Sequence, residues 1–158
     1  MEIKENLTRI ASFSVNHDYI VPGIYISRVD GDITTYDLRT RKPNSDEYMD
    51  NLTMHSTEHM LATLLRNSDI KDRVIYFGPM GCQTGFYLLV RNSNNEETLG
   101  VLITALREAC DFQGEIPGKK REECGNFENL DLAAAKAECK RYLEVLTSKH
   151  QTFDYPQE

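Results

Sequence analysis

The chain has 158 residues, of which 40% are hydrophobic and 27% charged. That suits one domain spanning residues 1–158 with a core of its own, and it excludes a disordered chain. Twenty-five acidic against 18 basic side chains leave a formal charge of −7, a field that repels phosphate backbones and anionic lipid surfaces. Neither nucleic acid nor membrane is therefore an expected partner. No stretch approaches the roughly 20 apolar residues of a membrane span, and the polar start of the chain has no signal-like apolar segment. A cytoplasmic protein is expected, with Cys82, Cys110, Cys124 and Cys139 kept as thiols.

Residues 12–41 are rich in β-branched and aromatic side chains, divided by an Asp30-Gly31-Asp32 turn, and predict antiparallel strands joined as a hairpin. After a polar loop, Leu52, Met60, Leu61, Leu64 and Leu65 follow helical spacing, with Asn51 or Thr53 as candidate caps. Two more strands are predicted at residues 74–77 and 86–90. The connection between them, from Gly78 to Gly85, holds three glycines that let the backbone pass close to something. Further helices are predicted over residues 96–112 and 132–146, and residues from 149 onward as a tail. Strands grouped with helices, rather than strictly alternating with them, predict an α+β fold in which helices pack on one face of an antiparallel sheet.

The chemistry concentrates in His55-Ser56-Thr57-Glu58-His59 on the first long helix. At about 100° per residue, His55 and His59 lie about 40° apart on one helix face, so that one metal ion can meet both imidazoles. Glu58 lies about 60° to the other side of His55, beside such an ion without having to bind it. A third ligand is available in Cys124, whose surroundings, Glu122-Glu123-Cys124-Gly125-Asn126, are unlike those of a core cysteine. Cys110 and Cys139 fall on apolar helical stripes and are packing residues. Two imidazoles and a thiolate leave a fourth coordination position open, as catalytic sites do. Cys82, in the glycine-rich connection, has little apolar cover, and near a divalent cation such a thiol more readily becomes a thiolate base. Two proton-transfer groups and a Lewis acid suit enolisation beside a carbonyl better than peptide hydrolysis. The same H-x-x-E-H pattern occurs in metallopeptidases, which are expected to use a glutamate as third ligand and do not call for the Cys82 segment. A purely structural metal module predicts four protein ligands and a closed site.

Together with Pro79-Met80-Gly81-Cys82-Gln83-Thr84-Gly85, Cys124-Gly125, Ser12-Phe13 with His17, and Asp37-Leu38-Arg39, this pattern resembles the LuxS family of S-ribosylhomocysteine lyases. The resemblance implies an α+β homodimer with its active sites at the subunit interface. Each site would hold one divalent metal, Fe²⁺ with Zn²⁺ or Co²⁺ able to substitute, and no organic cofactor. It implies His55, His59 and Cys124 as ligands, Cys82 and Glu58 as the acid/base pair, and Ser12, His17 and Arg39 as residues lining the substrate pocket. On their own, Ser12 would be an ordinary turn or cap residue and His17 a structural histidine. Arg39 can clamp a substrate carboxylate or pair with Asp37. The reaction implied is cleavage of the thioether of S-ribosylhomocysteine to homocysteine and 4,5-dihydroxy-2,3-pentanedione, the autoinducer-2 precursor. The chain departs from the family pattern at Tyr76, where an aspartate is usual, and at Leu130, where a histidine is usual. Both changes bear on substrate affinity and rate more than on the metal site.

Overall fold

The computed structural model describes residues 7–157; the polar residues 1–6 and residue 158 lie outside the described residues. Its elements are α1 (Ala11–Ser14), β1 (Gly23–Asp30), β2 (Ile33–Arg39), α2 (Asn51–Leu65), β3 (Val74–Pro79), β4 (Gly85–Arg91), α3 (Asn95–Asp111) and α4 (Leu132–Ser148). The four strands form one antiparallel sheet in the order β1-β2-β4-β3, and α2, α3 and α4 pack on it as the expected helical layer.

Alternation along the strands divides the sheet into two faces of different chemistry. Ile24, Tyr36, Leu38, Phe86, Leu88 and Val90 are fully buried against the helical layer, with Met60, Leu61 and Leu65 of α2, Leu102 and Leu106 of α3, and Tyr142 of α4 in the same core. Each such side chain contributes about 1.5–3 kcal/mol by leaving water. The intervening residues face the other way. Tyr25, Asp37 and Tyr87 stand in one cross-strand row, and Arg39 lies between Gly23 and Gly85 in the next. A β-carbon on Gly85 would sit 2.5 Å from the Leu38 carbonyl oxygen, so only glycine lets β4 close on β2 at this point.

Three expectations need correction. The segment before β1 carries a short helical turn, α1, in place of a strand, because residues 15–22 turn through polar and proline positions before the sheet begins. The cap of α2 is Asp50, neither Asn51 nor Thr53: its extended backbone lets Oδ1 accept the Thr53 N–H at 2.8 Å. The residues after α4 are no loose tail. Gln151 and Phe153 are buried, the Ile26 N–H donates to the Phe153 carbonyl at 2.9 Å, and Phe153 packs edge-on against Tyr36. An aromatic residue that covers the edge strand β1 gives no local periodicity to read.

The hydrogen bonds from Thr53 hold the Asp50 carboxyl below its ordinary pKa. Its stabilisation is therefore present above the usual carboxylate range and is lost as pH falls through the depressed value. Asp50→Ala is expected to lower stability by about 1 kcal/mol near neutral pH, read by urea denaturation, with the difference from wild type narrowing on acidification.

Candidate metal centre and thiol site

His55 and His59 project from α2 toward the long connection between α3 and α4. Their rings meet edge to face, 4.7 Å between centroids. Each uses Nδ1 on a backbone carbonyl of that connection: His55 on Asn129 O at 2.8 Å and His59 on Pro117 O at 2.9 Å. A carbonyl can only accept, so both Nδ1 atoms carry the proton and both Nε2 lone pairs are free to bind a cation. Cys124 Sγ lies 3.4 Å from His55 Nε2, and one ligand atom from each of the three residues lies within 4.8 Å of the others. A tetrahedral ion bonded to sulfur at about 2.3 Å and nitrogen at about 2.05 Å requires a sulfur–nitrogen separation of about 3.6 Å, which this spacing meets. The donor set therefore fits a divalent metal.

The connection is tied to α2 at several points. The Asp131 N–H donates to Ser56 Oγ at 2.8 Å, and Asn129 Nδ2 donates to Asn51 Oδ1. Gly118, at φ +76°, lies close to the His59 ring, where a β-carbon would stand 2.7 Å from Nδ1. The Cys124 side of the site opens into a cavity of about 470 Å³ lined by Arg121, Asn126 and Glu128 among others. Glu58, half-buried on the same helix, has no hydrogen-bond or ion-pair partner among the described residues. Leu130 is buried in the hydrophobic core, where it needs no polar partner.

The second cluster lies on the open face of the sheet. The β3–β4 hairpin closes through Gln83 N–H to Met80 O at 3.0 Å, with Gln83 at φ 66°, and this turn presents Cys82 to solvent. Cys82 Sγ is 3.0 Å from Thr84 Oγ1 and 4.0 Å from Arg39 Nη1, which also donates to Thr84 Oγ1 at 2.9 Å. The other edge of the Arg39 guanidinium forms a fork on Asp37, with Nε to Oδ1 at 3.0 Å and Nη2 to Oδ2 at 2.6 Å. Burial opposes the charge of Arg39, but Asp37, with Cys82 adding to it, holds the guanidinium above its ordinary pKa. Ser12, His17, Arg39, Cys82 and Tyr87 line one cavity of about 310 Å³. His17 Nδ1 is occupied by Val15 O at 2.9 Å, and Ser12 stands beside the Tyr87 hydroxyl. Burial first, then the charge of Asp37, raises the Tyr87 pKa.

The fold thus gathers the eight expected residues into two groups. His55, His59 and Cys124 form one, with Glu58 on the same helix, and Ser12, His17, Arg39 and Cys82 form the other. The two cavities share no lining residue. Arg39 pairs with Asp37, one of the two roles open to it in the sequence, which leaves Nη1 toward the thiol. Cys139 is buried and Cys110 half-buried; burial raises the pKa of both, as suits packing residues. Sequence reasoning missed Thr84, Tyr87 and Tyr155, whose hydroxyl donates to Asp37 Oδ2 at 2.7 Å. Thr84 and Tyr87 stand two and five positions beyond Cys82, and the alternation of β4 could have marked Tyr87; nothing local marks Tyr155. Tyr76 is exposed and lays its ring across Gly78, two residues along the same strand.

A small α+β protein with a two-histidine, one-cysteine ligand set and a separate solvent-facing thiol beside a buried cation has the equipment of a metal-assisted proton-transfer enzyme. The family model described as S-ribosylhomocysteinase (LuxS) matches residues 10–153, and the chain belongs to this family. Among its relatives are proteins named S-ribosylhomocysteine lyase from Finegoldia magna, 41% identical over 96% of this chain and all of the relative, and from Clostridium beijerinckii, 39% identical over 95% and 99%. Another, from Desulfotalea psychrophila, is 41% identical over 95% of this chain and 99% of its own length. No described helix is long and apolar enough to cross a membrane.

Gly118→Ala is expected to weaken metal binding by roughly 10–100-fold, because the added methyl group pushes against the imidazole whose orientation Pro117 sets. Competition with a chelator of known affinity measures the change.

Proposed function

We propose that the chain is an S-ribosylhomocysteine lyase, cleaving its substrate to homocysteine and 4,5-dihydroxy-2,3-pentanedione. The observation that carries this reading is the pairing of an open His55–His59–Cys124 ligand set with a thiol, Cys82, held beside the Arg39 cation. His55, His59 and Cys124 hold one divalent ion per subunit, Fe²⁺ with Zn²⁺ or Co²⁺ able to replace it, which supplies Lewis-acid stabilisation of negative charge developing on the sugar oxygens. A peptidase of the same helical motif would be expected to bring a glutamate as third ligand, where this chain has a cysteine.

Cys82 as thiolate takes the C2 proton of the ring-opened aldose and returns it to C1, moving the carbonyl to C2. A second transfer from C3 to C2 moves the carbonyl to C3. The C4 proton is then acidic, and Glu58, which no other side chain among the described residues engages, removes it. The electron pair forms the C4–C5 double bond as the C5–S bond breaks, and homocysteine leaves as its thiolate. Ketonisation of the resulting enol, with a proton added at C5, completes the diketone. Atoms and electrons balance without an organic cofactor. Ser12, His17 and Tyr87 line the cavity and offer hydrogen bonds to sugar hydroxyls, while Arg39 holds its positive charge beside Cys82 Sγ.

In one chain the ligand set belongs to the helical layer and the Arg39–Cys82 group to the open sheet face, so a homodimer is part of this reading. The open face of one subunit, rimmed by exposed Phe13 and Tyr76, meets the ligand set of the other and completes each site. The protein is read as a single domain throughout.

Iron-loaded protein prepared without oxygen is expected to release homocysteine from S-ribosylhomocysteine, titrated as free thiol; no thiol above background overturns the proposal. Glu58→Gln is expected to keep its metal while thiol release falls by about 100-fold or more. Mixing Glu58→Gln with Cys82→Ala under subunit exchange is expected to restore about a quarter of wild-type activity, since half of the dimers then carry one intact site. No recovery despite exchange would mean that Cys82 and Glu58 of the same site come from one chain.

A further inference from the structure

The segment after α4 reaches back across the sheet and ends against the group that holds Arg39. Asp37 is buried, at 1% exposure, and its carboxylate accepts from three donors: Arg39 Nε, Arg39 Nη2 and the Tyr155 hydroxyl. A buried carboxylate of this kind is fixed in orientation by the donors around it. Two of them come from the side chain it must orient, and only Tyr155 is independent of Arg39. Tyr155 is itself locked in place. Its ring stacks on Tyr25 at 4.9 Å and 20°, the Tyr25 hydroxyl is anchored on Val21 O, and backbone pairing of Phe153 with β1 holds the segment two residues away. Burial and the adjacent Asp37 charge raise the Tyr155 pKa, so its hydroxyl stays protonated and donates.

We propose that Tyr155 is a positioning residue for the Cys82 site: its hydroxyl fixes the Asp37 fork, Asp37 orients Arg39, and Arg39 directs Nη1 onto Thr84 Oγ1 and Cys82 Sγ. The inference deepens the catalytic reading above and rests on Cys82 as the proton-transferring thiol. Four side chains, Asp37 and Arg39 of β2, Cys82 of the β3–β4 turn and Tyr155 of the C-terminal segment, thereby act as one unit, with the terminal residues belonging to the active site and not merely covering the sheet edge. When the Tyr155 hydroxyl is removed, one lone pair of Asp37 is left unsatisfied. The carboxylate then draws the guanidinium toward itself and away from the thiol, and Cys82 Sγ loses its contact with Nη1.

Tyr155→Phe tests this on the full-length, metal-loaded protein, because it keeps the stacked ring and deletes one oxygen. Alkylation of Cys82 by iodoacetamide, located by peptide mass, is expected to slow by about tenfold, the scale of one charge-assisted hydrogen bond. The turnover number should fall by a similar factor with KM within about twofold, and circular dichroism and metal content should stay as in wild type. Wild-type rates of alkylation and turnover in the variant would overturn the proposal. Ser27→Ala removes the other hydroxyl beside Tyr155 and leaves Asp37 paired, so both rates should remain at the wild-type value; equal slowing would show that the segment acts through rigidity alone, and the proposal fails. In an Asp37→Asn background the Tyr155→Phe change should have no further effect, and full additivity overturns the route through Asp37. Alkylation does not depend on turnover, so it reads the Tyr155 effect even if S-ribosylhomocysteine proves not to be the substrate.

Discussion

Everything at the candidate metal centre depends on two backbone carbonyls. Pro117 O and Asn129 O, from an irregular connection of some twenty residues between α3 and α4, each accept from a histidine Nδ1 and so turn both Nε2 lone pairs toward one point. A histidine whose free tautomer is unfixed divides its lone pair between two positions; here the acceptors decide it. The connection can supply those acceptors because it is pinned. Ile116 and Leu130 are buried in the core on either side of the ligand loop, and Asp131 is bonded to Ser56 on α2. Binding an ion between α2 and Cys124 joins helix and loop directly, which couples metal affinity to the local stability of the connection.

The Asp37–Arg39 pair carries a different cost. Taking both charges out of water costs about as much as their attraction returns, so the pair is weak evidence for stability. What it does supply is a cation that cannot swing away. Gly23 and Gly85 flank Arg39 on the neighbouring strands, Asp37 takes one edge of its guanidinium, and the remaining nitrogen meets Thr84 and Cys82. A guanidinium fixed in this way exerts its field on one sulfur without the entropy of a mobile surface arginine.

The division of the chemistry between two faces follows from the sheet itself. Alternation sends Leu38 into the helical core and its immediate neighbour Arg39 to the open face. The thiol group therefore stands on one side of the sheet, and the helix that carries His55 and His59 lies on the other.

Much of this was legible before any coordinates. The helical spacing of His55 and His59, the polar surroundings of Cys124, the glycine-flanked Cys82 and the hairpin divided at Asp30-Gly31-Asp32 all follow from local geometry and composition, because a helix repeat and a strand repeat project onto the chain directly. Caps and element ends shifted by a residue or so, as at Asp50, where the backbone angle rather than side-chain type selects the cap. What the sequence alone could not decide were the contacts between residues far apart: which nitrogen of each histidine is free, that Arg39 spends its fork on Asp37, and that Tyr155 returns across more than a hundred positions to the same carboxylate. These depend on where a carbonyl or a hydroxyl arrives in space after the sheet and helices have packed, and no local repeat encodes that arrival.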